Sequence, residues 1–296
     1  MTNRILDFSE LPARLRVHYQ QLVVQRRDLP DVTMPLADLA VVVVSHPEVT
    51  YTQAVLAGLA EAGGAFVACN RKNLPVGMFL PLVSHYCQAE RFAAQARAAE
   101  PVRKRIWQQL VRAKVKAQAE TLEALYGTDH GLRALIALVR SGDPSNVEAR
   151  ASRRYWPHLF DDMNFRRHRE DEDQNLLLNY GYAVLRAIVA RAICGVGLHP
   201  SLGLHHHNRY NAYCLADDLM EPFRPIVDRS VAQYVSTHDA VYKLEAPAKQ
   251  HIVADLTARY TVVGEQRTLF DAAERMASSL SDVFLGVGKE VVLPEW

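Results

Sequence analysis

The sequence predicts an α+β protein in which a small β-rich, sandwich-like domain precedes a larger all-helical domain. Short apolar or alternating segments, bounded by Gly, Pro and polar residues, dominate the chain as far as Ser84. Beyond Ser84, alanine-rich segments repeat their apolar residues with a period of about 3.6. The 296 residues are 49% hydrophobic, which is enough to bury a full core. We therefore divide the chain into residues 1–84 and residues 85–296.

The strands of the first domain are predicted from alternation and from buried apolar runs. Residues 15–19 alternate apolar and polar side chains, as a half-buried strand does. Residues 39–44 form an apolar, β-branched run that is typical of a strand buried on both faces. A helix is predicted at residues 52–62, where two glycines follow as a stop signal. Further strands are predicted at residues 65–69 and 76–80.

The second domain is predicted from segments whose apolar residues recur at helical spacing. These segments are residues 85–98, 101–126, 130–140, 146–156, 174–194, 211–231 and 268–284. Residues 166–174 lack apolar periodicity and are rich in charge, so we expect a mobile loop there.

The composition limits the possible functional classes. The four cysteines are scattered without a CxxC pair, which argues against a disulfide framework and against a cysteine zinc site, and fits a reducing compartment. No signal peptide is visible and no apolar run approaches about 18 residues, so we expect a cytoplasmic protein without membrane contact. The net charge of +1 gives no global attraction to nucleic acid.

Basic residues are nevertheless concentrated in parts of the helical domain. Residues 101–119 contain six basic residues and no acid, and a second basic group occupies residues 166–169. Such stripes can neutralise phosphates, although a solvated helix face is the ordinary alternative. The candidate DNA contacts are Arg103, Arg112, Lys114, Lys116, Arg166 and Arg167.

Residues 199–225 contain the densest set of potential metal ligands in the chain. Three histidines at 205–207 precede two carboxylates, Asp218 and Glu221, which lie 12 and 15 residues after His206. On a helix, these two carboxylates would project from the same face. One imidazole with several carboxylate oxygens suits Mg²⁺ or Mn²⁺ better than zinc. A polar histidine turn and an acid-rich helix start are the alternatives.

Helix-terminus signals occur beside two of the acidic residues. Pro222 follows Glu221, and proline inside a helix costs about 3 kcal/mol, so we expect a break that re-aims the carboxylate. Farther upstream, the Ser145-x-x-Glu148 spacing matches a capping box, in which the glutamate bonds back to the N-cap amide. On spacing alone, capping is the favoured role for Glu148.

Four ordered segments resemble the CRISPR-associated adaptation integrases, the "Cas one" family. NVEARASRRYW at residues 146–156 is similar to the family's N-x-E-A/G-x-A-x-x-x-Y-W/F segment. GLHHHNRYNAYCLADDLMEPFRP at residues 203–225 is similar to its G-x-x-H segment followed by D-L-M-E-x-F-R-P. Residues 107–119 and 175–189 resemble two further helices of the family. The length and the EPFRP wording are most like the version that accompanies single-protein, RNA-guided effectors (type II systems).

This resemblance implies a metal-dependent DNA endonuclease and integrase of CRISPR adaptation. Such an enzyme captures short foreign DNA fragments and inserts them into the CRISPR array by transesterification with a 3′-hydroxyl. Glu148, His206 and Glu221 match the family's three divalent-metal ligands, and Asp218 matches a nearby acid that supports the site. The implied cofactor is Mg²⁺ or Mn²⁺. The adjacent histidines leave the register open by one residue, and His205 is the alternative ligand.

The resemblance also implies partners and a division of labour. Members form homodimers through the β domain, here residues 1–84, and carry the metal-binding catalytic site in the helical domain, here residues 85–296. They bind double-stranded DNA fragments and the CRISPR repeat, and they join a second small protein, "Cas two", in a heterohexamer. The alternatives are a non-catalytic DNA-binding scaffold with a vestigial metal site and a hydrolase of small phosphoesters. The complete Glu/His/Glu set argues against the first, and the basic stripes argue against the second.

Overall fold

Two four-stranded sheets form the first part of the chain in the structure, a computed structural model that describes residues 3–70, 75–168, 170–171, 173–238, 244–262 and 265–294. The strands are β1 (Arg4–Phe8), β2 (Arg14–His18), β3 (Gln21–Gln25), β4 (Val32–Pro35), β5 (Leu39–Val44), β6 (Thr50–Tyr51), β7 (Ala65–Cys69) and β8 (Pro75–Phe79). A helix, α1 (Gln53–Glu61), lies between β6 and β7. The predicted strands and the predicted helix of this part are all present.

The two sheets have the strand orders β1-β5-β7-β8 and β4-β3-β2-β6. In the first sheet, β5 pairs in parallel with β1 and β7, and β8 pairs antiparallel with β7. In the second, β2, β3 and β4 form an antiparallel meander that β6 joins in parallel. Leu15, Leu22, Val42 and Leu59 meet in a core shared by both sheets and α1. The sandwich-like arrangement follows from this shared core.

Strand β5 is apolar along its whole length because it is covered on both faces. Val42 packs in the core between the sheets, whereas Val41 and Val43 pack in the core of the helical part. A strand with no solvated face has apolar residues at successive positions, and not in alternation. The β1-β5-β7-β8 sheet therefore provides the base on which the helical part lies.

The second part is helical, so the predicted α+β class is confirmed. Its helices are α2 (Gln88–Arg97), α3 (Glu100–Tyr126), α4 (Arg133–Ile136), α5 (Val147–Leu159), α6 (Gln174–Gly195), α7 (Cys214–Leu219), α8 (Arg224–Thr237), α9 (Ala246–Thr257) and α10 (Leu269–Phe284). A hairpin of β9 (Arg259–Val262) and β10 (Glu265–Thr268) adds strands that the sequence did not predict. The segment before α6 is not helical, as predicted, and its Arg169 and Glu172 lie outside the described residues. The domain division at residue 84 falls between β8 and α2 and stays a prediction.

Helix α6 is the central helix of the second part. It is long and apolar enough to cross a membrane by length and composition, contrary to the expectation from the sequence. However, 72% of its apolar window is buried inside the protein, as in a core helix. Tyr180 on α6 donates a hydrogen bond of 2.7 Å to Asp7, and Arg191 donates one of 2.7 Å to the Gly63 carbonyl. These contacts fix α6 against the first part of the chain.

The helix predicted at residues 211–231 is broken at the position that Pro222 indicates. Helix α7 ends at Leu219, residues Glu221–Phe223 form a 3-10 turn, and α8 begins at Arg224. Proline has no backbone donor, so the α-helical hydrogen-bond pattern cannot continue through it. The 3-10 turn packs against α3, and this contact brings Glu221 to the long helix.

Candidate metal centre

One buried carboxylate organises the loop that carries the three histidines. Asp218 on α7 is fully buried and accepts hydrogen bonds from the backbone amides of Leu204, His205 and His206, at 2.6, 3.0 and 3.3 Å. Its Oδ1 also lies 2.5 Å from His206 Nδ1. This hydrogen bond raises the pKa of His206 and favours the tautomer with hydrogen on Nδ1. The Nε2 atom is then the nitrogen available to a cation.

Gly203, which precedes the three histidines by two residues, is required for steric reasons. A Cβ added at Gly203 would lie 2.4 Å from the His206 carbonyl oxygen and 2.8 Å from the Cys214 Cβ. Both distances are too short for real contacts, so any other residue would push the loop away from α7. The absence of a side chain at Gly203 therefore allows the loop to close over Asp218.

The three adjacent histidines have different surroundings. His205 stacks flat on Trp107 of α3, with ring centroids 4.3 Å apart and an interplanar angle of 1°, and burial lowers its pKa. His206 meets the same indole edge-on at 5.7 Å and is held by Asp218. His207 is exposed. The Asp218 side-chain contact favours His206 as the ligand, whereas electrostatics does not distinguish the two rings, because Glu221 acts on His206 and Glu148 acts on His205. The assignment stays a prediction.

Helix α5 begins without the capping box that the spacing of Ser145 and Glu148 suggests. The N-cap residue is Asn146, which has a left-handed backbone (φ 47°) and makes no side-chain cap. Instead, Asp143 accepts hydrogen bonds from the amides of Val147 and Glu148, both at 2.9 Å. The capping interpretation of Glu148 is therefore wrong: the N-cap is Asn146 and not Ser145, Asp143 accepts the amide that Ser145 would have capped, and the Glu148 carboxylate contacts Lys114.

The carboxylates of Glu148 and Glu221 converge on one lysine. Lys114 Nζ lies 2.5 Å from Glu148 Oε1 and 2.6 Å from Glu221 Oε2. Burial alone would lower the pKa of Lys114, but the two carboxylates outweigh this effect and raise it. Lys114 is 7% exposed, so its assignment to an exposed, DNA-contacting stripe is wrong. Lys114 projects from α3 toward α5 and the 3-10 turn. The carboxylates of Glu148 and Glu221, which come from these two elements, offset the cost of burying its charge.

Glu221 is buried between two cations. Its Oε1 accepts a hydrogen bond of 2.8 Å from Arg224 Nε. Its Oε2 lies 2.6 Å from Lys114 Nζ, so this oxygen is paired with the buried ammonium. Burial would raise the pKa of Glu221, but Arg224 and Lys114 outweigh burial and hold it at about 2. Glu221 is therefore ionised, as a ligand of a hard cation must be.

The arrangement suits a divalent cation, although the ligands are not fully assembled. Among the described ranges, no group of three His, Cys, Asp or Glu side chains is placed closely enough to hold a metal ion. Glu148 and Glu221 nevertheless converge on one cationic centre, the Lys114 ammonium. His206 packs on Trp107, which lies two turns before Lys114 on α3. Carboxylate oxygens with one imidazole fit Mg²⁺ or Mn²⁺.

A buried network behind Glu221 was not foreseen from the sequence. The Arg224 guanidinium lies 4.6 Å from the centre of the Tyr182 ring, and the Tyr182 hydroxyl donates to Asp228. Asp228 also accepts a hydrogen bond of 3.1 Å from Tyr155. Burial raises the pKa of Asp228 to about 6, although both hydroxyl donors oppose the shift. The spacing of Glu221, Arg224 and Asp228 along one helical face was the available signal.

A cavity of about 220 Å³ adjoins Glu221 and Lys114. Its wall includes Gln118, Ser152, Trp156 and Arg167. Gln118 is 2% exposed, and its Oε1 has no hydrogen-bond partner. A buried acceptor without a donor costs free energy, so the space beside Gln118 suits a group that donates a hydrogen bond.

Two of the predicted DNA contacts on α3 are exposed to solvent. Arg112 donates a hydrogen bond of 2.9 Å to the Val139 carbonyl, and Lys116 lies 3.8 Å from Glu120. An exposed pair as loose as the second contributes little stability, so both cations remain available to phosphates. Their role in binding DNA stays a prediction.

The other predicted DNA contacts lie at the edges of the site. Arg103 is half-buried in a cavity of about 350 Å³ that His206 also lines. Arg166 is exposed, whereas Arg167 is half-buried and donates to Asn175 at 2.8 Å. These positions are compatible with phosphate contacts on two sides of the site, and such contacts stay a prediction.

Sequence comparisons identify relatives along most of the chain. The family described as CRISPR associated protein Cas1 matches residues 9–246. The CRISPR-associated endonuclease Cas1 of Neisseria meningitidis serogroup C is 34% identical over 286 residues, which cover 95% of this chain and 93% of the relative. A second relative, CRISPR-associated endonuclease Cas1 2 of Pyrobaculum aerophilum, is 29% identical over 241 residues, covering 77% of this chain and 81% of the relative.

Solved structures with the same fold are more distant in sequence. A casposase bound to its integration product has a TM-score of 0.81 at 18% identity, covering 100% of this chain and 94% of that chain. A Cas1 protein from Thermotoga maritima has a TM-score of 0.76 at 19% identity, covering 99% and 100%. A Cas6-RT-Cas1–Cas2 complex has a TM-score of 0.77 at 19% identity, covering 99% of this chain and 36% of that chain. At these identities the likeness concerns the fold.

Proposed function

The chain belongs to the CRISPR-associated Cas1 family, and from this premise we propose that it is a divalent-metal-dependent DNA endonuclease and integrase of CRISPR adaptation. It captures short fragments of foreign DNA and inserts them into the CRISPR array. The observation that carries the proposal is the convergence of Glu148 and Glu221 on one cationic centre, with the Asp218-held His206 packed on the same helix.

The proposed cofactor is Mg²⁺ or Mn²⁺, held by Glu148, His206 and Glu221. When bound, such a cation acts as a Lewis acid on the scissile phosphate and stabilises the leaving 3′ oxygen. Asp218 fixes the ring orientation of His206, and Arg224 keeps Glu221 ionised and in place. The attacking group is the 3′-hydroxyl of the incoming DNA in integration and water in cleavage. The protein thus contributes mainly positioning and charge.

Basic side chains around the site are proposed to hold the phosphates of the DNA. Arg112 and Lys116 present exposed cations on α3, and Arg103, Arg166 and Arg167 lie at the edges of the site. Contacts to phosphates supply affinity that does not depend on base sequence and that weakens with added salt.

The proposed partners are double-stranded DNA fragments, the CRISPR repeat, a second copy of the chain and Cas2. Solved structures of similar fold include one bound to an integration product and one that contains Cas1 with Cas2. We propose a homodimer through residues 1–84 that joins Cas2 in a heterohexamer in the cytoplasm. The helical part, residues 85–296, carries the chemistry.

Metal-dependent nicking of plasmid DNA tests the proposal. Glu148→Gln should abolish nicking in Mg²⁺ and Mn²⁺, and should remove the rise in melting temperature that Mn²⁺ gives, because an amide is a poor ligand for a hard cation. Glu120→Gln, on the exposed face of α3, is the matched control and should behave as wild type. Full nicking by Glu148→Gln would remove this residue from the ligand set. Absence of metal-dependent nicking by the wild type would favour the non-catalytic scaffold.

A further inference from the structure

Lys114 occupies the point at which the two candidate acidic ligands meet. Its ammonium contacts Glu148 and Glu221 at 2.5 and 2.6 Å while the side chain is 9% exposed. Two carboxylates in a poorly solvated site repel each other unless a cation lies between them. Lys114 is that cation, and it comes from the chain itself.

A divalent cation held by Glu221 would need the oxygen that Lys114 contacts, Oε2, because Arg224 donates to the other oxygen, Oε1. At Glu148 the oxygen that Lys114 contacts is Oε1. Mg²⁺ binds its oxygen ligands at about 2.0–2.1 Å, so it must approach closer than the ammonium does. A divalent cation and an ammonium cannot both contact these oxygens without strong mutual repulsion. Metal binding and the Lys114 contacts therefore exclude each other.

The fold provides a place for a displaced ammonium. Lys114 lines the cavity of about 220 Å³ beside the site, and Gln118 lines the same cavity one turn farther along α3. Gln118 Oε1 is buried and lacks a hydrogen-bond donor. A rotation of the flexible lysine side chain toward the cavity would supply that donor and keep the ammonium solvated by a polar partner.

We propose that Lys114 is a built-in competitor of the metal, which holds Glu148 and Glu221 together until a divalent cation displaces its ammonium into the adjacent cavity, where Gln118 accepts a hydrogen bond from it. This inference rests on the proposed function, because it requires the metal site. Because the Lys114 ammonium must be displaced, the protein binds the metal more weakly than the same ligands would bind it without the lysine.

Isothermal titration with Mn²⁺ alone, without DNA, measures the competition. Lys114→Met, which keeps the length of the side chain but not its charge, should bind Mn²⁺ on the order of tenfold or more tightly than wild type, the lower end of coupling between close charge pairs. Lys104→Met makes the same substitution at an exposed lysine of the same helix and should leave the affinity unchanged. Equal or weaker binding by Lys114→Met would overturn the proposal.

Two further measurements keep the test decisive if Lys114→Met is unstable without metal. The Mn²⁺ concentration that refolds half of the variant, followed by circular dichroism and divided by the variant's unfolding constant without metal, then gives its dissociation constant, which should lie below the wild-type value. Lys114→Arg retains the charge and should bind Mn²⁺ no more tightly than wild type. Tighter binding by Lys114→Arg would contradict competition between charges.

A double-mutant cycle tests the role of Gln118. Gln118→Met should weaken Mn²⁺ binding in the wild-type background, because the displaced ammonium loses its acceptor, and should have no effect in the Lys114→Met background. An equal effect in both backgrounds would overturn the assignment of Gln118. Failure of both wild type and Lys114→Met to bind Mn²⁺ would contradict the proposed metal site itself, which is a different outcome from equal binding by the two.

Discussion

Asp218→Asn should disable the metal site without removing any of its three proposed ligands. In the wild type, Asp218 Oδ2 accepts the amides of Leu204 and His205, and Oδ1 accepts the amide and Nδ1 of His206. Asparagine has nearly the same shape, but one of its two terminal atoms is an NH₂ donor. In either orientation of the asparagine side chain, its NH₂ group replaces one of the two oxygens. It then faces either the amides of Leu204 and His205 or the amide and Nδ1 of His206, all of which are donors.

The magnitude follows from the two hydrogen bonds that asparagine cannot accept. A hydrogen bond to a charged group contributes about 1.5–3 kcal/mol, so the absence of two such bonds costs up to about 3–6 kcal/mol of stability if the loop cannot relax. That is a large share of a typical unfolding free energy of about 5–15 kcal/mol. Removing a partner that orients a ligating histidine weakens metal affinity or activity by about 10–100-fold. We expect both effects in Asp218→Asn.

Urea denaturation, Mn²⁺ titration and plasmid nicking separate these two effects. Asp217→Asn is the matched control, since Asp217 is buried on the same helix but its side chain accepts hydrogen bonds from Arg186 and Asn211, both at 2.7 Å, and from none of the three histidines. The control should lose stability but keep its Mn²⁺ affinity. Wild-type Mn²⁺ affinity and nicking in Asp218→Asn would refute the reasoning that His206 depends on this carboxylate.

Three other predictions concern single features of the structure. His206→Ala should abolish Mn²⁺-dependent nicking, whereas His205→Ala should lower the melting temperature and leave nicking measurable; the reverse pattern would move the ligand to His205. Charge reversal at Arg112 and Lys116 should reduce the log–log salt slope of duplex binding in gel shifts by about 0.9 for each phosphate no longer neutralised, and an unchanged slope would identify a solvated face. The pKa of Asp228, about 6 in the fold, exceeds its unfolded value, so the native state binds the extra proton between about pH 4 and pH 6. Stability should therefore fall as pH rises through this window, by up to about 1.4 kcal/mol per unit; Asp228→Asn should flatten the curve in urea denaturation, and equal slopes would contradict this.

The sequence predicted β5 and α6, whose apolar residues recur without a break, and it missed α9, whose buried stripe contains a charge. It also missed short strands such as β3. Helix α9 buries Ala248, Ile252 and Leu256, but Lys249 is also buried in that stripe. Lys249 lies 3.6 Å from Glu10, which belongs to the first part of the chain. A lysine at a core position obscures the apolar pattern, and its partner lies too far away in sequence for any local template to find.

The same effect explains the error at Lys114. The basic residues around Lys114 led to its prediction as a DNA contact. It nevertheless lies seven residues after Trp107 and four after Leu110, on their buried side of α3. Helical spacing was thus sufficient to predict that Lys114 is buried, and a buried lysine requires an acidic partner. Which acids pair with Lys114 could not be predicted from the local sequence, because Glu148 and Glu221 belong to two other elements and are brought to α3 by the fold.

The start of α5 illustrates a limit of local templates. The capping-box pattern was present in the sequence, but Asp143 reached the free amides first from a turn before the helix. A pattern of four residues cannot include a competitor that lies outside it. The ligand role of Glu148, in contrast, came from the family resemblance and stays a prediction; in the structure the Glu148 carboxylate contacts Lys114.

The face of the β1-β5-β7-β8 sheet that packs on α6 has a consequence for how the protein unfolds. Val41 and Val43 belong to the same apolar core as the helices, and Asp7 accepts the Tyr180 hydroxyl across the boundary. Unfolding of the sheet alone would expose this core and leave the buried Tyr180 hydroxyl without its acceptor. Each part therefore needs the other in order to stay folded. A calorimetric scan should therefore show one cooperative transition for the whole chain, whereas two separated transitions would mean that the parts are energetically independent. The sheet therefore contributes directly to the stability of the helical part, and a fragment that begins at residue 85 should aggregate through the uncovered side of α6.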